Sequence, residues 1–233
     1  MFFSSKIVSI NESDRVLEIG PGATPHPRSD IFLDLRYEDE NEEQAQFGYS
    51  GKLNSEKKIV YYDGEEFPFK DNEFDYIICS HVLEHVENLE LFLSEIFRVA
   101  PKGYFEYPKI HYDYLFNIPV HLNFLKYDGK SLYYQKKSES PLHHFKEIQH
   151  DLWRGLNDAQ FKVFNYNNED LLFEGFEWHE PFDLIHTDQM KDLLNEIPFE
   201  YQNSLNDYIT KHLSFKELSK ILGEKLKRKI FRK

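Results

Sequence analysis

Four short apolar runs, RVLEIG (15–20), IFLDL (31–35), KIVYY (58–62) and DYIICS (75–80), constrain this fold more than any other feature of the chain. None alternates apolar and polar residues with period two, so each predicts a strand buried on both faces. Strands of that kind belong to a parallel sheet covered by its own crossovers. A fifth run, GYFEY (103–107), follows a segment in which Leu89, Phe92, Leu93, Ile96 and Val99 share one face of a helix over 89–99. The pattern predicts an α/β fold with a Rossmann-like, doubly wound, mostly parallel sheet.

The second half is less regular. VHLNFLKYDGKSLYYQKK predicts a hairpin turning at Asp128-Gly129, and PLHHFKEIQHDLWRGL (141–156) a helix with Pro141 near its start. FKVFNYN (161–167) and LLFEGF (171–176) read as late strands, TDQMKDLLNEI as another helix, and SFKE at Ser214 as the capping box of a last one. The acidic stretch EDENEEQAQ (38–46) reads as an exposed loop. The expected division is one domain over 1–213, with a ligand-binding core at about 14–108 and an aromatic-rich, substrate-covering extension at about 109–213. A basic amphipathic helix over 214–233 follows.

With 233 residues, 40% of them hydrophobic and 16% aromatic, the chain has the apolar surface for a substantial core and is not a disordered polymer. Its single cysteine, Cys79, excludes an internal disulfide and suits a reducing compartment. No run approaches the ~20 apolar residues that span a bilayer, and MFFSSKIVSI lacks a signal-peptide core. A cytoplasmic protein is expected. The net charge of −13 is divided unevenly: residues 216–233 carry +6 and the remainder −19. An acidic body disfavours nucleic acid as partner. The basic tail sets Phe215, Leu218, Leu222, Leu226 and Phe231 near helical spacing, which fits peripheral contact with an anionic membrane or packing on the acidic body.

The first strand runs into VLEIGPGATPHPRSD. Glycine-x-glycine after a strand lets backbone approach a ligand closely. A dinucleotide fold needs a third small residue and a helix whose N-terminus seats a pyrophosphate. Pro25 and Pro27 stand there instead, which argues against NAD and FAD. Three acids, Glu18, Asp34 and Asp63, fall near the carboxyl ends of successive strands, where open α/β sheets bind ligands. A carboxylate at the second strand end suits ribose hydroxyls, and Asp63 suits an adenine amino group.

VLEIGPG, the acid of IFLDL, and DGEEFPFKDNEFDYIICSHVLEHVEN together resemble the class I S-adenosylmethionine-dependent methyltransferases of the small-molecule, type 11-like kind, over about residues 14–108. The resemblance implies S-adenosyl-L-methionine as cofactor. It puts Glu18, Gly20 and Gly22 at the methionine end, Asp34 on the ribose, Asp63 and Gly64 by the adenine, and Ser80 and His81 beside the sulfonium. The proline-broken link after Gly22 departs from the family pattern, yet a cofactor without phosphates needs no helix N-terminus there.

HVLEH (81–85) also matches the H-x-x-E-H metal motif, which requires both histidines on one helix and a distant third ligand. Here the segment leaves a buried strand, so metal hydrolysis is set aside and no metal ligand is assigned. A hydroxyl acceptor gains from a neutral-range base. His85, after the strand that faces the methyl group, is the first candidate, with His121 and His111 beyond strand five as the next. The expected function is methyl transfer to an oxygen or nitrogen of a small molecule or sugar, with an envelope glycan precursor as one acceptor class. The competing readings are a non-catalytic binding or scaffold protein and a nicotinamide-dependent oxidoreductase.

Overall fold

The computed structural model describes residues 1–36, 56–194 and 219–220. Its strands in chain order are β1 (Val16–Ile19), β2 (Ile31–Leu35), β3 (Lys58–Tyr62), β4 (Tyr76–Ser80), β5 (Gly103–Pro108), β6 (Asn123–Tyr127), β7 (Ser131–Lys136), β8 (Phe173–Trp178) and β9 (Asp183–His186). A six-stranded sheet runs β3-β2-β1-β4-β5-β8, its first five strands parallel and β8 antiparallel to β5. The order reverses between β1 and β4, which creates a crevice at their carboxyl ends. A second sheet, β6-β7-β9, contains the expected hairpin, whose turn is held by Asp128 accepting from the backbone of Lys130 and Ser131.

The expected helix is α1 (Leu89–Val99), started by the Asn88 side chain accepting from the Leu91 amide at 3.1 Å. Leu89, Phe92, Leu93 and Ile96 of α1 pack with Leu17, Ile19, Ile77, Cys79 and Phe105 on one face of the large sheet. Each such side chain removed from water contributes about 1.5–3 kcal/mol. Leu125, Leu132 and Tyr134 bring the small sheet into the same core. On the opposite face, Val16, Tyr76, Ile78 and Tyr104 pack under Ile7 and Ile10 of the N-terminal stretch. No helix follows Gly22, in keeping with the two prolines.

The remaining described helices are α2 (Ile110–Phe116), α3 (Lys146–Gly155), α4 (Asp158–Asn167), α5 (Glu169–Leu172) and α6 (Met190–Leu193). FKVFNYN is therefore helical, a correction to the strand expected there. Asn157 and Gln160 form a reciprocal capping box that starts α4 and overrides the β-leaning content of the segment. In 141–156 a 3-10 turn over Pro141–Phe145 precedes α3. LLFEGF splits, its two leucines closing α5 before β8 begins. Most rings of 112–134 serve as core, with Tyr112, Phe116, Phe124 and Tyr134 buried. The acidic stretch 38–46 and the basic helix expected over 214–233 lie outside the described residues, apart from helical Ser219 and Lys220. Among the described residues no helix is long and apolar enough to cross a membrane.

Candidate functional site

The crevice at the strand-order reversal is lined by the loop after β1 and the loop after β4. Gly20, at φ +60°, donates its amide to Leu33 O at 2.9 Å, which seats the glycine turn against β2. A Cβ on Gly20 would lie 2.6 Å from Val82 Cγ2, so the two loops touch at backbone distance. Gly22, at φ +55°, faces open space. Glu18 turns into the protein instead. Its carboxylate accepts from the His26 amide at 2.9 Å and from Ser29 Oγ at 2.6 Å, tying the proline-containing link to β1. Burial pushes this carboxyl up to about 7 against the opposing pull of those two bonds.

Asp34 sits at the end of β2, its Oδ1 accepting from the Leu35 amide. Gly64, at φ +88°, follows β3 and packs beside Leu35, while the exposed Asp63 lies 3.8 Å from Arg36. The structure thus aligns the ends of β3, β2, β1 and β4 along one edge, with Gly64, Asp34, Gly20 and Ser80 in sequence across it.

Beyond β4 the site becomes densely charged. Ser80 Oγ donates to Glu106 Oε1 at 3.1 Å. His81 holds a left-handed backbone, φ 57°, uncommon for a residue with a side chain, and its amide donates to Glu106 O at 2.7 Å. The ring stands between two acids, Nδ1 3.3 Å from Glu84 Oε1 and Nε2 3.1 Å from Glu106 Oε1, the latter off the line of a hydrogen bond. Burial alone would depress this imidazole, but the flanking carboxylates outweigh it and hold it at about 9. Glu106 is fully enclosed and also accepts from the Phe2 and Phe3 amides and from Tyr104 Oη. Burial would raise Glu106, yet the His81 contact holds it down at about 2. Positional strain at such a residue concentrates where a site must be held.

The 3-10 turn Leu83–His85 carries Glu84 and His85. His85 Nδ1 donates to Val120 O at 3.0 Å, and its Nε2 lies 3.8 Å from Glu84 Oε1. His121 donates from Nδ1 to Asp113 Oδ2 at 2.7 Å, and its ring centroid is 5.0 Å from that of His85. The two candidate bases are therefore neighbours, joined through Glu84. His111, on α2, stands apart from these contacts, with a buried Nδ1 that has no partner among the described residues. Glu84, Glu106 and Asp113 escape the sequence reading. Glu84 lies within the quoted HVLEH motif, and Glu106 near the end of a strand, the same signal that picks out Glu18. Nothing in the sequence points to Asp113.

A family profile described as a methyltransferase domain matches residues 35–106. An uncharacterized protein of Methanocaldococcus jannaschii is 41% identical over 46 residues, 20% of this chain and 22% of its own. Sterol 24-C-methyltransferase erg6 of Schizosaccharomyces pombe is 32% identical over 103 residues, 41% of this chain and 27% of its own. The chain thus spans about a quarter of the length of these curated relatives. A solved S-adenosylmethionine-dependent methyltransferase from Mesorhizobium loti aligns over 50% of this chain and 53% of its own, at 14% identity and a TM-score of 0.31. The family that the profile describes binds S-adenosylmethionine. The matched segment runs from the end of β2 to near the end of β5, and over those residues the chain is similar to the methyltransferase domain.

Proposed function

We propose that the chain transfers a methyl group from S-adenosylmethionine to an oxygen or nitrogen of a small molecule or sugar. The observation that carries this reading is the contact of the Gly20 turn with Val82 at the strand-order reversal, with Asp34 and Ser80 on the same edge. Beside that contact a Cβ on Gly22 would meet nothing within 4 Å, which leaves bare backbone open to a ligand, and the helix-free link after it offers no pyrophosphate seat. Asp34 would accept from ribose hydroxyls, and the ends of β4 and β5 would flank the sulfonium.

The reaction asks little covalent chemistry of the protein. An acceptor lone pair attacks the methyl carbon, and the carbon–sulfur pair leaves on sulfur as a neutral thioether. Alignment supplies much of the rate. The acceptor's proton passes to a base, for which His85 and His121 are the candidates, each with its Nδ1 already committed to an acceptor. An envelope glycan precursor fits this reading if the basic segment after residue 213 draws the protein to an anionic surface. Sedimentation with anionic vesicles, compared with a chain lacking residues 216–233, tests that part.

The cofactor is tested by thermal unfolding with S-adenosylmethionine, S-adenosylhomocysteine and NAD in parallel. A ligand at about a hundred times its dissociation constant adds about 2.7 kcal/mol of apparent stability. A shift with the adenosyl compounds that Asp34→Ala removes supports the reading. A shift with NAD alone, or none at all, overturns it.

A further inference from the structure

Glu84, His85 and His121 each offer a ligating atom, and these atoms lie within 4.8 Å of one another. Two features distinguish the group from an ordinary polar cluster. Both imidazoles spend Nδ1 on fixed acceptors, His85 on Val120 O and His121 on Asp113 Oδ2, which leaves the Nε2 lone pairs for the cluster. The fully buried Glu84 has an Oε2 with no hydrogen-bond partner among the described residues. Lone pairs thus converge on one point, and although His81 Nδ1 lies 3.3 Å from Glu84 Oε1, the buried Oε2 receives no donor, which stays costly until a cation or donor enters.

The surroundings are built to hold these groups. Asp113, which orients His121, is itself fixed by the Ile118 amide at 3.1 Å and Lys137 Nζ at 2.8 Å, both on Oδ1. A carboxylate or carbonyl behind each histidine is the usual second layer of a metal centre. The Leu122 amide donates to Glu84 O at 2.7 Å, locking the strand that brings His121 against the turn that carries the other two ligands. Tetrahedral zinc with bonds of about 2.0–2.2 Å places its ligands about 3.3–3.5 Å apart. The 3.8 Å from His85 Nε2 to Glu84 Oε1 is near that separation, and the ligand atoms of all three residues lie within 4.8 Å of one another.

We propose that Glu84, His85 and His121 bind one divalent transition-metal ion, with zinc favoured by two imidazoles and one carboxylate. H-x-x-E-H does not act here as a helical pair. Its terminal Glu-His supplies two ligands from a 3-10 turn, and a histidine beyond β5 supplies the third. Three protein ligands leave a coordination position open on the side of His85, the most exposed of the three. If the methyl-transfer reading holds, on which this step rests, that position takes a hydroxyl of the acceptor. The ion lowers the pKa of the hydroxyl, its proton leaves to water, and the oxygen attacks the methyl carbon while the carbon–sulfur pair departs on sulfur. His85 and His121 then act as ligands rather than bases, and oxygen acceptors are preferred to amines.

The test uses the metal-stripped, untagged full chain titrated with Zn²⁺, Co²⁺, Mn²⁺ and Mg²⁺ alone. One Zn²⁺ or Co²⁺ per chain is expected, with visible absorption from a Co²⁺ in nitrogen–oxygen coordination. Asp113→Asn should weaken binding by about 10–100-fold. The pair His85→Gln with His121→Gln should abolish it, with circular dichroism reporting that the fold persists. Undiminished Co²⁺ binding in that pair would place the ion elsewhere, such as the exposed His143–His144 pair, and overturn the proposal. Absence of stoichiometric Zn²⁺ binding by a folded wild-type chain would do the same. Zn²⁺ binding without any stabilisation by S-adenosylhomocysteine would uphold the metal site and count only against the cofactor reading.

Discussion

Gly20 and Val82 meet so closely that the first carbon of any side chain at position 20 would overlap the valine methyl, at 2.6 Å. The contact joins the loops after β1 and β4, and the left-handed backbone of Gly20 adds a second reason for glycine.

Gly20→Ala should therefore destabilise by about 2–4 kcal/mol, combining about 1 kcal/mol of backbone strain with about 1–3 for overpacking. Adding Val82→Ala should recover the overpacking part and leave the strain. Gly22→Ala, where nothing lies within 4 Å, should cost only about 1 kcal/mol. Urea unfolding of the four proteins separates the two effects, and equal losses at positions 20 and 22 would refute the steric account.

Glu18 gives a pH dependence of unusual sign. Its folded-state pKa of about 7 lies above the ordinary glutamate value of 4.5, because burial disfavours the charge. Between those values the unfolded chain has lost the proton while the folded chain retains it, so stability falls as pH rises. The full deficit, about 3 kcal/mol, is reached above pH 7. The difference in melting temperature between wild type and Glu18→Gln should shift in favour of the variant from pH 5 to pH 8. A pH-independent difference would show that the carboxyl titrates normally.

Arg98 fastens the segment between β3 and β4. Its guanidinium bonds Glu95 at 2.6 and 2.8 Å, Asp71 at 2.9 Å, and the carbonyls of Phe67 and Phe69 at 3.1 and 2.8 Å. Glu95 in turn accepts from the Phe67 amide at 2.7 Å. Allowing for its partial exposure, Arg98→Ala should cost about 2–3 kcal/mol. Lysine should recover only part, since an ammonium lacks the planar fork. Because this segment leads out of Asp63 and Gly64, the same variant should weaken cofactor binding from a distance, measurable by titration calorimetry with S-adenosylhomocysteine.

Asn123, buried at the start of β6, donates to Leu83 O at 3.0 Å and Val86 O at 2.6 Å, bracketing the Glu84–His85 turn. Asn123→Leu would remove the side-chain donor from Val86 O and leave Leu83 O with the Val86 amide alone, a loss of about 1–3 kcal/mol. Hydrogen exchange should quicken at the His85 and Val86 amides, which close that turn on Val82 and Leu83. Unchanged exchange there would mean that the turn holds itself.

The parallel sheet and α1 were legible because continuous apolar runs and a five-residue helical stripe are local signals that burial enforces. FKVFNYN misled because rings and a valine lean toward strand, whereas the capping residues Asn157 and Gln160 sit at the edge of the stretch and decide its start. The charged part of the site was less visible. Glu106 matters because β5 lies beside β4, and His121 because the chain beyond β5 returns to the turn after β4. Pairings across tens of residues leave no periodicity to read. Gly20, Asp34, Gly64 and Ser80, by contrast, each lie at or just after the end of their own strand, so parallel strands alone are enough to bring them to one edge.

Asn123 and Leu122 stitch the hairpin to the turn after β4, and this bears on heredity as well as stability. A covering segment joined to its sheet only through a linker can be exchanged for another, and acceptor choice can drift freely. Here the extension supplies His121 and the clasp on Glu84, so exchanging it would dismember a cluster that the core alone cannot complete. On the proposed methyl-transfer reading, the two halves of this chain are constrained to change together, and a new acceptor would more readily arise from substitutions within the extension than from its replacement.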